Sequence, residues 1–119
     1  MNKKEILVMV DMLIRATKNN RLNWEDVVPE SNSYLTTVNG CNIKVFSSYD
    51  YDMGFPINNI SLFNRDGQLF STYSYNRLVE DQIFEILNEL LNTIRDVQYK
   101  ISESEKLIMD GLADLNKDL

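Results

Sequence analysis

Apolar residues recur along this chain with two different periods, and each change of period marks a change of element. Across residues 3 to 19 they fall at Ile6, Val10, Leu13, Ile14 and Thr17, a three-four spacing that gathers side chains on one face of a helix. Leu7, Met9 and Met12 widen that stripe, so the helix is expected to pack across a sheet, and Asn19-Asn20 ends it. Leu22 and Trp24 follow in a short connection closed by Pro29, with the Trp24 indole as an anchor at the edge of the core.

From Tyr34 the period drops to two. Tyr34 to Val38 is rich in aromatic and β-branched residues, Asn39-Gly40 is a strong hairpin signal, and Asn42 to Phe46 resumes the strand pattern. Cys41, Ile43 and Val45 would share one face, with Lys44 on the other. A second hairpin pairs Ile57 to Phe63 with Gln68 to Tyr75 through Asn64-Arg65-Asp66-Gly67, where Gly67 can take the left-handed conformation that a type I turn with a bulge requires. Ile60 and Leu62, with Leu69 and Ser71, are expected on the side facing a helix. The connection from Ser47 to Pro56 is then the longest loop between strands.

The helical period returns at Val79 and continues through Ile83, Leu87, Leu90, Ile94, Val97 and Ile101. Asn76 can cap this helix, and Glu80 and Asp81 in its first turn favour the positive end of the helix dipole. Ser102-Glu103-Ser104-Glu105 has the form of a capping box, predicting a break or kink before Leu107, Ile108, Leu112 and Leu115. The alternative is one continuous helix of about 40 residues, roughly 60 Å long, whose apolar stripe would need a partner helix. The pattern therefore predicts an α+β fold: an N-terminal helix, a four-stranded antiparallel meander of two hairpins, then two C-terminal helices or one long kinked helix. One domain spans residues 1–119, with a core over 1–101 and a helical extension over 102–119.

Composition agrees with an ordinary globular chain: 119 residues, 44% hydrophobic and 25% charged. Cys41 is the only cysteine, so no intrachain disulfide is possible, and it reads as a small strand residue. The apolar run after Lys3-Lys4 resembles a secretory signal, but Asp11 and Arg15 interrupt it and no small-residue cleavage site follows. No stretch reaches the roughly 20 apolar residues of a membrane span, so a cytoplasmic, non-membrane protein is expected. Charge is segregated. Residues 1–78 hold eight acidic and eight basic side chains, 79–119 hold ten and four, and the net charge of -6 lies in the C-terminal third. Nucleic-acid binders concentrate Lys and Arg on one face, so direct nucleic-acid binding is disfavoured.

Catalytic equipment is sparse. The chain has no histidine, which removes zinc and Ser-His-Asp chemistry, and glycines 40, 54, 67 and 111 form no phosphate cradle. Asp50-Tyr51-Asp52-Met53-Gly54 opens like a calcium loop, but Gly54 and Ser61 stand where further oxygen ligands belong, so a solvated turn is expected. No metal, cofactor or catalytic residue is expected. Tyr49, Tyr51 and Phe55 fall in the long loop, and Tyr73 and Tyr75 end the last strand. Gathered at one rim, with Arg65 and Arg77 nearby, they would suit a flat ligand or an interface; closing the edge of the core is the plainer role.

Fourteen asparagines against four glycines, with many Ile and Lys, suggest an AT-rich coding sequence. Leu13-Ile14-Arg15-Ala16-Thr17-Lys18, the Asn39-Gly40 hairpin and Ile60-Ser61-Leu62-Phe63-Asn64-Arg65-Asp66-Gly67, in this order of elements, resemble the small uncharacterised helix-sheet-helix proteins of low-GC bacteria and their phages. That resemblance carries no site residue over. The leading expectation is a non-catalytic protein-binding module, such as a phage or mobile-element inhibitor or an immunity-type protein. It would present Glu85, Glu89, Asp96, Glu103, Glu105, Asp110 and Asp114 to a basic surface on another protein, and self-associate through its C-terminal helices. The alternative is an oligomer that sequesters a nucleotide-like ligand with the tyrosines.

Overall fold

The computed structural model describes residues 1–27 and 32–117, so the expected role of Pro29 lies outside the described residues. Helix α1 runs Lys3–Lys18. Its N-terminus is closed reciprocally: the Asn2 side chain accepts from the Glu5 N–H at 2.9 Å, and the Glu5 carboxylate accepts from the Asn2 N–H at 3.1 Å. Asn20, at φ 56°, turns the chain out of the helix.

Five strands follow in one antiparallel sheet, ordered as in the chain: β1 (Glu25–Asp26), β2 (Ser33–Val38), β3 (Cys41–Asp50), β4 (Phe55–Phe63) and β5 (Leu69–Tyr75). The meander is the predicted one with an added strand. Two-residue β1 carries no alternating pattern to announce it, and pairing with Leu35 and Tyr34 creates it. Asn39 and Gly40, at φ 51° and 79°, make the tight β2–β3 turn. The expected long loop from Ser47 to Pro56 is not there. The β3–β4 ladder pairs Ser47 with Asn58 and Asp50 with Phe55, leaving a four-residue turn, because Ser47 bonds Asn58 on the helix-bearing face and Ser48 bonds Asn59 on the wet one.

The ladder register places Tyr34, Val45, Ile60 and Tyr73 in one row and Thr36, Ile43, Leu62 and Ser71 in the next, all on the helix-bearing face. A register shift at Leu62/Phe63 pairs Phe63 with Leu69 and Leu62 with Ser71. That bulge reverses the side-chain alternation, so Leu69 joins Phe63 on the opposite, solvent face and is exposed, contrary to the expectation that it meets a helix.

Helix α2 spans Asp81–Tyr99 and buries Ile83, Phe84, Leu87, Leu90, Leu91 and Ile94. Of these, Ile83, Leu87, Leu90, Leu91 and Ile94 join Ile6, Val10, Leu13 and Ile14 of α1 and Ile43, Val45 and Ile60 of the sheet in a single core, with α1 lying alongside α2. Buried Asn58 fastens sheet to helix: its amide donates to the Phe84 carbonyl at 2.9 Å and the Asn88 side chain at 2.8 Å, and its oxygen accepts from Ser47 at 2.9 Å. Trp24 is buried as expected, its indole N–H donating to the Thr17 hydroxyl at 3.0 Å.

Asn76 does not cap α2. It accepts from the Val79 N–H at 2.8 Å in the preceding turn, and the helix begins after Glu80 with no side-chain cap, leaving Val79 exposed outside the stripe. The C-terminal helical segment is broken, as one of the two sequence readings held. Lys100, left-handed at φ 51° and ψ 44°, separates α2 from α3 (Ile101–Leu115). Ser102 lies in the first turn of α3 instead of preceding it, so the expected capping box does not form. The cap comes from α2, whose Asp96 carboxylate accepts from both the Ser102 N–H at 2.9 Å and its hydroxyl at 2.7 Å.

Among the described residues helix α3 packs only against the end of α2, and it has no buried residue. The radius of gyration is accordingly 17.2 Å, where a compact chain of this length has about 13.5 Å. Core and projecting helix should respond differently to truncation. Leu90→Ala is expected to cost about 2–5 kcal/mol in urea unfolding, and Leu112→Ala less than about 0.5 kcal/mol apart from its effect on helix propensity.

Candidate functional site

The apolar side of α3 is unpaired among the described residues. Leu107, Ile108, Met109, Leu112 and Leu115 are 48 to 77% exposed. At 3.6 residues per turn, Ile101, Ile108, Leu112 and Leu115 fall within an arc of about 60°, a continuous stripe. Glu105 borders that stripe, whereas Glu103, Asp110 and Asp114 stand together on the opposite face of the helix. Among the described residues no cation stands within ion-pair distance of Glu103, Glu105 or Asp110, while Asp114 meets Lys117 at 3.3 Å.

The acidic residues of α2 are differently placed. Glu85 is bound by Arg77 at 2.6 Å and Glu89 lies 3.9 Å from Lys18, so much of the charge expected to face a partner is compensated by the chain itself. Asp96 is turned into the elbow. These two carboxylates border a shallow polar concavity with Asn88 and Asn92 along the outside of α2. Of the predicted acidic surface, then, Glu103, Glu105, Asp110 and Asp114 stand on the projecting helix and Glu85, Glu89 and Asp96 on the body.

The tyrosines are divided. Tyr49 and Tyr51 form an edge-on pair, ring centres 5.0 Å apart, at the β3–β4 turn, where Phe55 begins β4. Tyr73 and Tyr75 pack against the core, and burial raises the Tyr75 hydroxyl above its ordinary pKa. The Met1 amino group, 2.8 Å from the Tyr73 hydroxyl, lowers that phenol by hydrogen bonding. Arg65 is at the far end of the sheet, donating to the Asn39 carbonyl at 3.0 Å and packing on Gly40, so it ties two hairpin turns together. Arg77 lies over the Phe84 ring, 5.1 Å from its centre. Arg65 is thus not brought to the tyrosines. Asp50 closes its turn, its carboxylate accepting from the Asp52 and Met53 N–H groups at 3.1 Å each. Among the described residues no group of three or more metal-ligating side chains converges, and no helix is long and apolar enough to cross a membrane.

A second apolar feature was not foreseen. Val8, Met9, Met12 and Ala16 of α1, with Leu22 and Val38, line an open groove of about 620 Å³. Met12 was expected to help cover the sheet, but α1 rests on α2, and the helix is rotated so that Val8 and Met12 point outward, 50 and 62% exposed. The signal was present in the excess width of the α1 stripe. Sequence alone did not say which edge of that stripe would stay uncovered.

No family model, curated protein sequence or solved structure matches the chain, so the site rests on its own geometry.

The elbow that aims α3 is pH-sensitive in a defined direction. Hydrogen bonds from the Ser102 hydroxyl and N–H hold Asp96 below the ordinary carboxylate pKa. A depressed carboxylate pKa stabilises the folded elbow above the unfolded value, and that contribution is lost as pH falls through the folded one. Carboxyl-carbon NMR should therefore show Asp96 titrating below a typical aspartate, Ser102→Ala should move it upward, and the angle between α2 and α3 should broaden on acidification in spin-label distance measurements.

Proposed function

We propose that this protein is a non-catalytic protein-binding module whose working element is α3. The observation that carries this reading is a helix with no buried residue and an apolar stripe of Ile108, Leu112 and Leu115, with Glu103, Asp110 and Asp114 on its opposite face. An amphipathic helix that buries its stripe in a groove is a recurring mode of protein recognition, with i, i+4 and i+7 anchors. The helix is presented by a defended elbow at Lys100, not by a flexible linker, which reduces the ordering cost of binding. The acidic charge of the helix favours a basic partner and speeds encounter with it. An inhibitor or immunity-type role is the use such a module would serve.

Ile108→Asp/Leu112→Asp tests the reading without touching the core. Affinity capture from extracts of the source cell should retain a partner on the native chain and lose it on the double variant, while the urea midpoint of the body is unchanged. The captured complex should weaken at least about tenfold between roughly 0.05 and 0.5 M salt. Equal retention by the double variant would remove α3 from the interface.

A further inference from the structure

We infer that the groove beside α1 is the receptor for α3 of a second copy of this chain, each protomer giving its helix to the other in a two-fold dimer. This inference rests on the reading of α3 as a docking helix and names its partner. Among the described residues of one chain α3 touches only the end of α2, so the groove beside α1 is left open to another molecule.

Length, charge and surface area agree on that occupant. The groove runs along α1 from Met1 to Ala16, about 22 Å at 1.5 Å per residue, and the 15 residues of α3 have the same length. Residues 1–22 carry Lys3, Lys4, Arg15, Lys18 and Arg21 against Glu5 and Asp11, whereas 101–117 carry Glu103, Glu105, Asp110 and Asp114 against Lys106 and Lys117. Lys3 and Lys18 are held by Glu80 and Glu89 and Arg15 by Asp11, which leaves Lys4, in the wall of the groove, to meet the acidic helix.

The accessible surface is 8242 Å² for a mass of 13.9 kDa. A compact monomer of that mass exposes about 6,700 Å², leaving an excess of roughly 1,500 Å² per chain. Covering about half of that excess on each protomer would give an interface of standard size, roughly 1,600 Å² in total. Two equivalent helix-in-groove contacts close on themselves and leave neither stripe exposed.

Sedimentation of the full chain should show a dimer at about 100 µM, with Leu112→Asp on the helix and Met12→Asp in the groove each raising the dissociation constant at least about tenfold. Mixing those two variants should restore association, because the mixed dimer pairs one intact helix with one intact groove. Lys4→Glu should weaken the dimer at least about threefold. A monomeric native chain, or a mixture that stays monomeric, overturns self-docking and leaves the binding role of α3 to the capture experiment. A dimer that survives Leu112→Asp unchanged overturns self-docking, and equal capture by the helix variant overturns the wider reading.

Discussion

Burial of the α2 stripe between α1 and the sheet is the contact on which the rest of this molecule depends. Ile83, Leu87, Leu90 and Ile94 reach essentially zero exposure, and the same helix touches α1, three strands and α3. That arrangement has a finite length. The sheet and α1 have apolar surface to offer only as far as Ile94, and Val97 is already partly exposed. A helix that continued straight would carry its stripe into solvent without gaining any contact. The chain instead turns at Lys100, accepting a left-handed backbone at a non-glycine residue, a conformation costing about 1–2 kcal/mol. Asp96 offsets that cost by capping the new helix through Ser102.

Polar side chains decide how the layers are aligned. Asn58 reaches from β4 to the backbone of α2 with its amide and oxygen satisfied, so sliding the sheet along the helix would strand a buried amide at about 1–3 kcal/mol. At the other end, Gln98 donates to the Trp24 carbonyl at 2.8 Å and Tyr99 donates to Asp26 at 3.0 Å, holding the two-residue β1 against the end of α2. On the solvent face of the sheet, Asn59 bridges the Phe46 carbonyl, Ser48 and Ser74, and Ser61 meets Thr72 at 2.9 Å. No helix covers that face. A polar ladder satisfies its central row, and the Lys44 ammonium sits 4.6 Å from the centre of the Phe46 ring.

Electrostatics divides the acidic C-terminal third into two parts. Glu80, just before α2, and carboxylates on α2 meet Lys3, Lys18 and Arg77 from other parts of the chain, at distances between 2.6 and 3.9 Å. These exposed pairs add little stability each, but they neutralise the body of the domain. Among the described residues Glu103, Glu105 and Asp110 of α3 have no such partner, and the apolar groove beside α1, of comparable length, has Lys4 in its wall. The net charge of -6 is therefore less informative than where its uncompensated part stands.

The helices, the two hairpin turns and the chain-order meander were legible in the sequence because each rests on local physics: the three-four spacing from Ile6 to Thr17, left-handed turn residues at Asn39-Gly40 and Gly67, and alternation at Cys41, Ile43 and Val45. A break near residue 102 was likewise signalled, although Lys100 and Asp96 make it, since a cap drawn from the preceding helix leaves no contiguous motif. Tertiary structure alone decided the rest. Pairing with β2 created β1, a bulge moved Leu69 to the wet face, and the rotation of α1 against α2 left Val8 and Met12 outside. Those outcomes depend on which surface each residue meets across the fold, and amphipathic spacing specifies that a stripe must be covered without specifying what will cover it.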